Sequence, residues 1–108
     1  MNTKVYKVIR TEKADELIHQ IILYVAEQFG TDVALEKLDE LEKEILSLGE
    51  NPYLGIQPKY AMLRRQGYLV FITKKNLVFY KVNEQDGIVT IYAVVDQRQD
   101  YLSIIRGL

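Results

Sequence analysis

The side chains able to act on an anionic partner are concentrated in the C-terminal half of this chain of 108 residues. Residues 1–51 contain six Lys and Arg against eleven Asp and Glu, a net charge of −5, whereas residues 52–108 contain eight against four, a net charge of +4. The basic residues of the second half are Lys59, Arg64, Arg65, Lys74, Lys75, Lys81, Arg98 and Arg106. The asymmetry indicates an anionic partner such as nucleic acid or an acidic protein segment. Attraction between the two halves across the fold explains it equally well.

Histidine and cysteine usage excludes several chemistries. The chain has no Cys, which rules out disulfides and thiolate metal sites. Its single histidine, His19, rules out sites that need two imidazoles. His19 falls on the side of its predicted helix away from the apolar residues, so we expect it to be solvated. The sequence therefore predicts neither a metal nor a cofactor.

Two helices are predicted in the first half of a single domain spanning residues 1–108. Apolar residues recur at three- and four-residue spacing from 11 to 29 and again from 31 to 49, which is the pattern of amphipathic helices. Gly30 suits a left-handed cap of the first helix, and Thr31 suits the N-cap of the second. A connection this short predicts an antiparallel helical hairpin.

The remaining elements are predicted to be strands. Residues 4–10 indicate a short first strand, and residues 68–73, 77–82 and 88–95 indicate three more, joined by hairpin turns. Residues 61–65 fit either a helical turn or a strand. The predicted fold class is α+β in the order β-α-α-β-β-β, with the helical hairpin packed on a C-terminal antiparallel meander and the first strand free to join an edge.

The core follows from the same patterns. The apolar helix residues are expected to pack on Val70, Phe79 and Ile91 or their strand neighbours. Those helix residues are Leu17, Ile21, Val25, Leu38, Leu41 and Ile45. Because the last three strands are apolar on both faces and two helices cover only one, the second face must curl onto itself or be covered by a partner. We expect a partner there.

Targeting signals are not evident at the N-terminus. The start Met-Asn-Thr-Lys-Val-Tyr-Lys has no signal-peptide core, and no apolar run reaches the roughly 18 residues of a membrane span. We therefore expect a soluble cytoplasmic protein with no membrane partner.

Several short motifs, in order, resemble the RelE/ParE toxins of bacterial toxin–antitoxin pairs. The resemblance starts in the helices, at residues 24–27 (Tyr-Val-Ala-Glu) and 34–42. Residues 51–55 (Asn-Pro-Tyr-Leu-Gly) are similar to the Pro-Tyr-x-Gly segment of the family. Residues 76–82 (Asn-Leu-Val-Phe-Tyr-Lys-Val) resemble its central strand, and residues 96–101 (Asp-Gln-Arg-Gln-Asp-Tyr) stand where the family often has His-Gly-Arg-Arg-Asp-Tyr.

Three residues depart from that family pattern. Leu69 follows Gly67 and Tyr68 where the family commonly has an arginine, Asp96 replaces the histidine of the closing motif, and Gln99 replaces its second arginine. Family members that cut messenger RNA on the ribosome use basic residues and a general acid or base at such positions. The substitutions therefore weigh against nuclease activity.

RNA cleavage through the 2′-hydroxyl would need a base, a cation that stabilises the developing phosphate charge, and an acid for the leaving oxygen. Asp96 could act as the base, basic side chains could supply the charge, and a tyrosine could donate a proton or stack on a nucleobase. The candidate residues are Arg64, Arg65, Lys81, Tyr92, Asp96, Arg98 and Tyr101. Alternatively Arg98 faces solvent and Asp96 only pairs with a nearby cation. The absence of a histidine near the sheet favours this alternative.

The resemblance implies the toxin of a type II toxin–antitoxin pair, which inhibits growth, acts in settings such as plasmid stabilisation, and is neutralised by a small antitoxin. A flexible antitoxin segment would lie over the apolar sheet face or the helical hairpin. Binding of DNA gyrase in the manner of ParE is favoured because the two long helices fit that branch. The alternatives are a ribosome-dependent, metal-independent endoribonuclease of messenger RNA, and a decayed relative kept as an interaction module. A homodimer is a further alternative.

Overall fold

A computed structural model describes residues 4–99 and 101–108. Its elements, in chain order, are β1 (Lys7–Arg10), α1 (Glu12–Phe29), α2 (Thr31–Glu50), α3 (Ala61–Arg65), β2 (Leu69–Ile72), β3 (Asn76–Asn83), β4 (Ile88–Asp96) and α4 (Leu102–Arg106). The predicted order β-α-α-β-β-β is confirmed. The segment at residues 61–65 is a helix, and the short C-terminal helix α4 was not predicted.

The four strands form one mixed sheet in the order β1-β4-β3-β2. The antiparallel meander of β2, β3 and β4 is confirmed. The strand β1 joins its edge in parallel to β4, with Lys7 beside Ile88 and Arg10 beside Ile91. A parallel neighbour needs a long crossover connection, and the intervening chain with its helical hairpin supplies that length.

The helical hairpin turns at a single glycine. The side chain of Thr11 caps α1 by accepting a hydrogen bond from the Ala14 N–H at 3.1 Å. Gly30, with φ of +95°, ends α1 and is also the N-cap residue of α2. The prediction of Thr31 as the N-cap was therefore wrong. A positive φ at a one-residue link costs glycine little, so Gly30 serves both ends and Thr31 already lies in the helix.

One core cluster lies between the hairpin and the sheet. Leu41 and Ile45 of α2 are buried in it together with Ile91 of β4, as predicted. The cluster also contains Val78 and Tyr80 of β3. Val70 and Phe79, which the sequence had also placed on the helix side, belong to a second cluster that includes only Leu17 of the predicted helix residues. Their strand neighbours, such as Val78 and Tyr80, pack with α2 instead.

A second core cluster covers the other face of the sheet. Leu63 of α3 and Ile105 of α4 are buried there against Phe79 and Val95. The expectation that a partner covers this face was therefore wrong, since the chain's own α3 and α4 do so. The sequence did not predict this cover because the apolar residues near the C-terminus form a helix of only five residues, which is too short to show a helical period.

A β-bulge adds to the irregular pattern of β4, whose residues are buried on both faces of the sheet. Tyr80 pairs with Ile91 while Phe79 pairs with Ala93, which leaves Tyr92 as the extra residue of β4. An extra residue shifts the inward and outward pattern of the strand by one position. The sequence pattern of β4 therefore combines two registers. Among the described residues, no helix has the length and apolar content needed to span a membrane.

Candidate functional site

The structure separates the predicted catalytic residues into two groups. Asp96 pairs with Asn76 at one end of the β3–β4 ladder, and Arg98 follows two residues later. Lys81 lies five residues further along β3 and pairs with Thr90. At the rise of a β-strand this separation is about 16 Å. Lys81 is therefore too far along the sheet to share one phosphate group with Asp96.

Asp96 and Arg98 form a local pair. The Arg98 backbone N–H donates to Asp96 Oδ1 at 2.8 Å, and Arg98 Nε lies 3.4 Å from the same oxygen. Partial burial raises the pKa of Asp96, but the two hydrogen bonds and the charges of Arg98 and Lys37 outweigh it and hold the pKa below its usual value. A carboxylate held ionised in this way is a weak proton acceptor. The Arg98 side chain is 85% exposed.

Lys81 is held between two tyrosine rings on the face covered by α3 and α4. Its Nζ lies 4.4 Å from the centroid of the Tyr68 ring and 5.3 Å from that of Tyr92. The two rings meet edge to face at 5.1 Å between centroids. Burial raises the pKa of Tyr68, and the neighbouring Tyr92 adds to the increase. The arrangement is a cation–π contact that stabilises the ammonium group where it is.

The other candidates lie on or near that same face. The Tyr101 ring packs 6.2 Å from the ring of Phe79 and belongs to the second core cluster. Arg65 is exposed at the last residue of α3. Arg64 is occupied, since its guanidinium donates to the carbonyls of Pro58 and Lys59 at 2.9 and 2.7 Å. Asp100 of the closing motif lies outside the described residues.

A groove of about 730 Å³ runs between the helical hairpin and the end of the sheet. We call it the hairpin groove. Its apolar wall comes from the hairpin, where Tyr24 is 60% and Phe29 66% exposed. Its charged side comes partly from α2 and partly from the ends of β3 and β4. The lining residues are Leu17, Gln20, Ile21, Tyr24, Val25, Phe29, Val33, Glu36, Lys37, Glu40, Lys75, Val94, Asp96, Arg98 and Gln99.

A polar network that the sequence did not reveal adjoins the hairpin groove through Lys37. Lys37 Nζ of α2 donates to Asn76 Oδ1 at 2.6 Å, and Asn76 Nδ2 donates to the Val95 carbonyl at 3.3 Å. Asn76 is 1% exposed, and its N–H donates to Thr73 Oγ1 at 3.0 Å. The Gln97 side chain donates to the Thr73 carbonyl. The network ties α2, the β2–β3 turn and the segment bearing Arg98 together. In the sequence, the only sign of this network was Lys37, a lysine within an acidic helix.

Glu44 of α2 contributes a partly buried carboxylate to this region. Its Oε1 is buried without a hydrogen-bond partner among the described residues. Burial raises the pKa of Glu44, the charge of Glu40 raises it further, and Lys37 and Thr73 act in the opposite direction. Within residues 4–99 and 101–108, no group of three or more acidic, histidine or cysteine side chains could hold a metal ion.

Comparisons with known proteins agree with this architecture. The family model "ParE toxin of type II toxin-antitoxin system, parDE" matches residues 8–101. No curated protein matches the chain in a sequence search.

Three solved structures share the fold at low identity. The chromosomal ParDE toxin–antitoxin system of P. aeruginosa superposes with a TM-score of 0.72 at 13% identity, over 86% of this chain and 97% of that one. The RelBE2 toxin–antitoxin complex of Mycobacterium tuberculosis gives 0.66 at 14%, over 91% and 98%. A mutant of the E. coli toxin RelE in the free state gives 0.58 at 14%, over 96% and 99%. Because the family model covers most of the sequence and the folds agree, the chain belongs to the ParE toxin family of type II toxin–antitoxin systems.

Proposed function

We propose that this toxin inhibits growth in the cytoplasm by binding a protein target, with DNA gyrase favoured, rather than by cutting RNA. The observation that supports this is the dispersal of the candidate catalytic groups. The carboxylate of Asp96 is paired with Arg98. Lys81 lies about 16 Å away along the sheet, over the rings of two tyrosines. Acid–base cleavage needs its base and its cation around one phosphate. A binding protein has no such requirement.

A cognate antitoxin is the expected partner of a member of this family, and we propose that it occupies the hairpin groove. The groove exposes the large apolar side chains of Tyr24, Phe29 and Val33. Exposed apolar surface of this kind, rimmed by charges, is typical of protein-binding sites. Since α3 and α4 already cover the second sheet face, the helical hairpin is the better of the two antitoxin positions that the resemblance implies.

The mechanism is tested by expressing the toxin and sequencing messenger 5′ ends. We expect growth arrest with intact messages and a DNA-damage response. Arg98→Ala should weaken the arrest only as far as it weakens target binding, with Lys59→Ala as the matched control. Codon-phased cuts that disappear in Arg98→Ala would contradict the proposal. Absence of any growth effect in a host with intact targets would favour the decayed interaction module instead.

The ribosome-dependent endoribonuclease remains the second candidate because of one observation. Lys81 lies on the same side of the sheet as three tyrosines, Tyr68, Tyr92 and Tyr101. The exposed Arg65 ends α3, the element that precedes β2 in the chain. Cations next to aromatic rings are common where proteins bind single-stranded RNA. Loss of message cutting in Lys81→Met and Arg65→Ala, with Arg98→Ala still active, would support this candidate.

A further inference from the structure

The opposite charges of the two halves of the chain do not neutralise each other through ion pairs. Among the described residues each ion pair joins two side chains of the same half, and the pairs are Arg10 with Asp15, Lys43 with Asp39, and Arg98 with Asp96. Attraction between the halves, one of the two explanations of the asymmetry, therefore forms no ion pair in this part of the chain. This favours the other explanation, an anionic partner.

The positive charge is concentrated between residues 51 and 83, a stretch without Asp or Glu. Its six basic residues give it a net charge of +6, and they are Lys59, Arg64, Arg65, Lys74, Lys75 and Lys81. Arg64 is engaged by two carbonyls, and Lys59 and Lys81 lie over tyrosine rings. Lys74 and Lys75 lie on the turn between β2 and β3. Both are exposed, and within the described residues their side chains have no ion pair or hydrogen bond.

The acidic helices lie mainly on the other side of the molecule. The helices α1 and α2 pack chiefly on β1 and β4, whereas β2 is the strand farthest from β1 in the sheet. Two carboxylates approach the turn that bears Lys74, namely Asp96 and Glu44. Asp96 is already paired with Arg98, and one oxygen of Glu44 is buried. The charge of the turn is therefore available to a partner.

Exposed aliphatic side chains lie beside this turn. Ile56 forms a β-bridge with Val70 through two backbone hydrogen bonds of 2.9 Å. Ile72, two residues after Val70, lies on the same face of the sheet, so Ile56 and Ile72 are diagonal neighbours across the bridge. Ile56 is 57% exposed, Ile72 52% and Leu54 48%. We define the β2 patch as these side chains and the two lysines of the turn: Leu54, Ile56, Ile72, Lys74 and Lys75.

The loop that carries part of the β2 patch is fixed in place. The Tyr80 hydroxyl donates to the Pro52 carbonyl at 2.6 Å and accepts from the Gly55 N–H at 2.9 Å. A Cβ at Gly55 would lie 2.6 Å from that hydroxyl oxygen and 2.8 Å from the Val70 carbonyl oxygen, so only glycine fits there. Because the loop is already ordered, a partner that binds it loses little conformational entropy.

We propose that the β2 patch is the surface with which the toxin binds its protein target, and that the matching segment of the target is acidic and carries aliphatic side chains. This inference rests on the proposed function and adds the place and the chemistry of the contact. Contiguous exposed apolar side chains with charges beside them are typical of protein-binding surfaces. Complementary charge speeds association and selects the partner.

Two other occupants fit the β2 patch less well. Proteins bind single-stranded RNA with cations next to aromatic rings that stack on the bases, whereas the apolar side chains of the patch are aliphatic. Two copies of the patch facing each other would bring like charges together. A second copy would therefore have to present its acidic helices instead. Such a contact between different surfaces repeats from molecule to molecule and does not close as a symmetric dimer.

The β2 patch borders the hairpin groove. Lys75 lines the groove, whereas Ile56, Ile72 and Lys74 do not. The Gln97 N–H donates to the Lys75 carbonyl at 2.9 Å, which holds the segment of Arg98 beside the turn. An antitoxin in the groove would reach this border and block the target sterically. Substitutions away from the border should therefore separate target binding from antitoxin binding.

Binding measurements with two purified probes, DNA gyrase and the small protein encoded by the adjacent reading frame, test the assignment. Lys74→Glu and the double variant Ile56→Thr, Ile72→Thr should each weaken gyrase binding at least about tenfold. Their affinity for the small protein should stay within about twofold, which also verifies that the variants are folded. Lys13→Glu on α1 and Ile9→Thr on β1, both exposed, are the matched controls and should change gyrase binding little.

The unmodified toxin separates failure of the inference from failure of the proposed function. If it binds gyrase and the β2 patch variants bind equally well, the inference is overturned and the proposed function stands. If it does not bind gyrase, the favoured target is wrong and growth arrest decides the inference. Arrest with intact messages that both variants lose supports the patch as the contact with another protein target, and arrest that they keep overturns it. A toxin that neither binds gyrase nor arrests growth would overturn both.

Three further results would assign the β2 patch to another occupant and so overturn the inference. Codon-phased message cuts that disappear in Lys74→Glu would assign it to RNA, and would contradict the proposed function as well. Loss of binding to the small protein in both patch variants, with gyrase binding kept, would assign it to the antitoxin. Self-association of the free toxin in light scattering that Lys74→Glu abolishes would assign it to a second copy of the chain.

Discussion

Glu44 shows how a single buried carboxylate on α2 can lower the stability of the fold. Its buried carboxylate oxygen has no hydrogen-bond partner in the described residues, and Glu40 of the same helix adds a like charge. An unsatisfied buried polar atom destabilises a fold by more than a formed hydrogen bond stabilises it. Two groups that face Glu44 lower its pKa, namely Lys37 of α2 and Thr73 just after β2. Both also hydrogen-bond to Asn76.

We expect Glu44→Gln to raise the free energy of unfolding by roughly 1 kcal/mol at neutral pH, since a neutral amide is less costly to bury. The folded-state pKa of Glu44 is raised above its ordinary value of 4.5, so the folded protein binds this proton more tightly than the unfolded chain. Glu44 therefore destabilises the fold increasingly as the pH rises above that value. The advantage of the variant should accordingly shrink when the pH is lowered to 4.

Denaturant unfolding at the two pH values measures this difference. Glu42→Gln, on the exposed side of the same helix, is the matched control and should change stability little at either pH. If Glu44→Gln gains the same free energy of unfolding at both pH values, the ionisation of Glu44 is not the cause of the gain.

At the scale of elements, the structure depends on one residue between two helices. Gly30 has a φ of +95°, and nothing lies within 4 Å of the position where a Cβ would be. The helix α1 ends there and α2 begins there, so the angle at this residue sets how the two apolar stripes meet the sheet. The packing of both long helices therefore depends on the backbone of one glycine.

Gly30→Ala should lower the free energy of unfolding by roughly 1–2 kcal/mol, because a side chain disfavours positive φ even where there is space for it. Gly107→Ala is the control, since Gly107 ends α4 with a φ of −85° that any residue adopts. Chemical denaturation of both variants gives the comparison. If Gly30→Ala lowers the free energy of unfolding by no more than Gly107→Ala does, the argument from backbone strain is contradicted.

At the scale of the whole molecule, the domain is a sheet with helices on both faces. The long hairpin covers one face, and the short helices α3 and α4 cover the other. Ile105 of α4 is 5% exposed and packs in the same cluster as Phe79 and Val95. Part of the second face is thus hidden by α4, a helix of five residues that has little stability of its own and is held by packing.

Ile105→Ala should destabilise the domain by about 2–4 kcal/mol and promote self-association through the uncovered face. Ser103→Ala, on the exposed side of α4, should do neither. Thermal unfolding and light scattering measure the two effects. A variant at position 105 that is as stable and as monodisperse as the control would show that α4 is not needed to cover the sheet.

The sequence by itself determined the order of the elements, the hairpin at Gly30, and the family to which the chain is similar. These features depend on short-range periodicity, on turn residues and on motif order, all of which are local. It placed Phe79 on the same side as Ile91, whereas Tyr80 pairs with Ile91 and Phe79 takes the opposite face. Because both faces of β3 are apolar, no local pattern marks which of them meets the helices.

Only the tertiary structure decided how the functional side chains are distributed. The pairing register put Asp96 and Lys81 at different ends of the ladder, and the packing of α3 and α4 closed the face that the strand pattern left open. The polar contact between Lys37 and Asn76 joins residues 39 positions apart, and the parallel pairing of β1 with β4 joins the two ends of the chain's fold. Contacts of this kind form between distant segments, because burial and backbone pairing act across the whole chain, whereas sequence periodicity reports only on a single element.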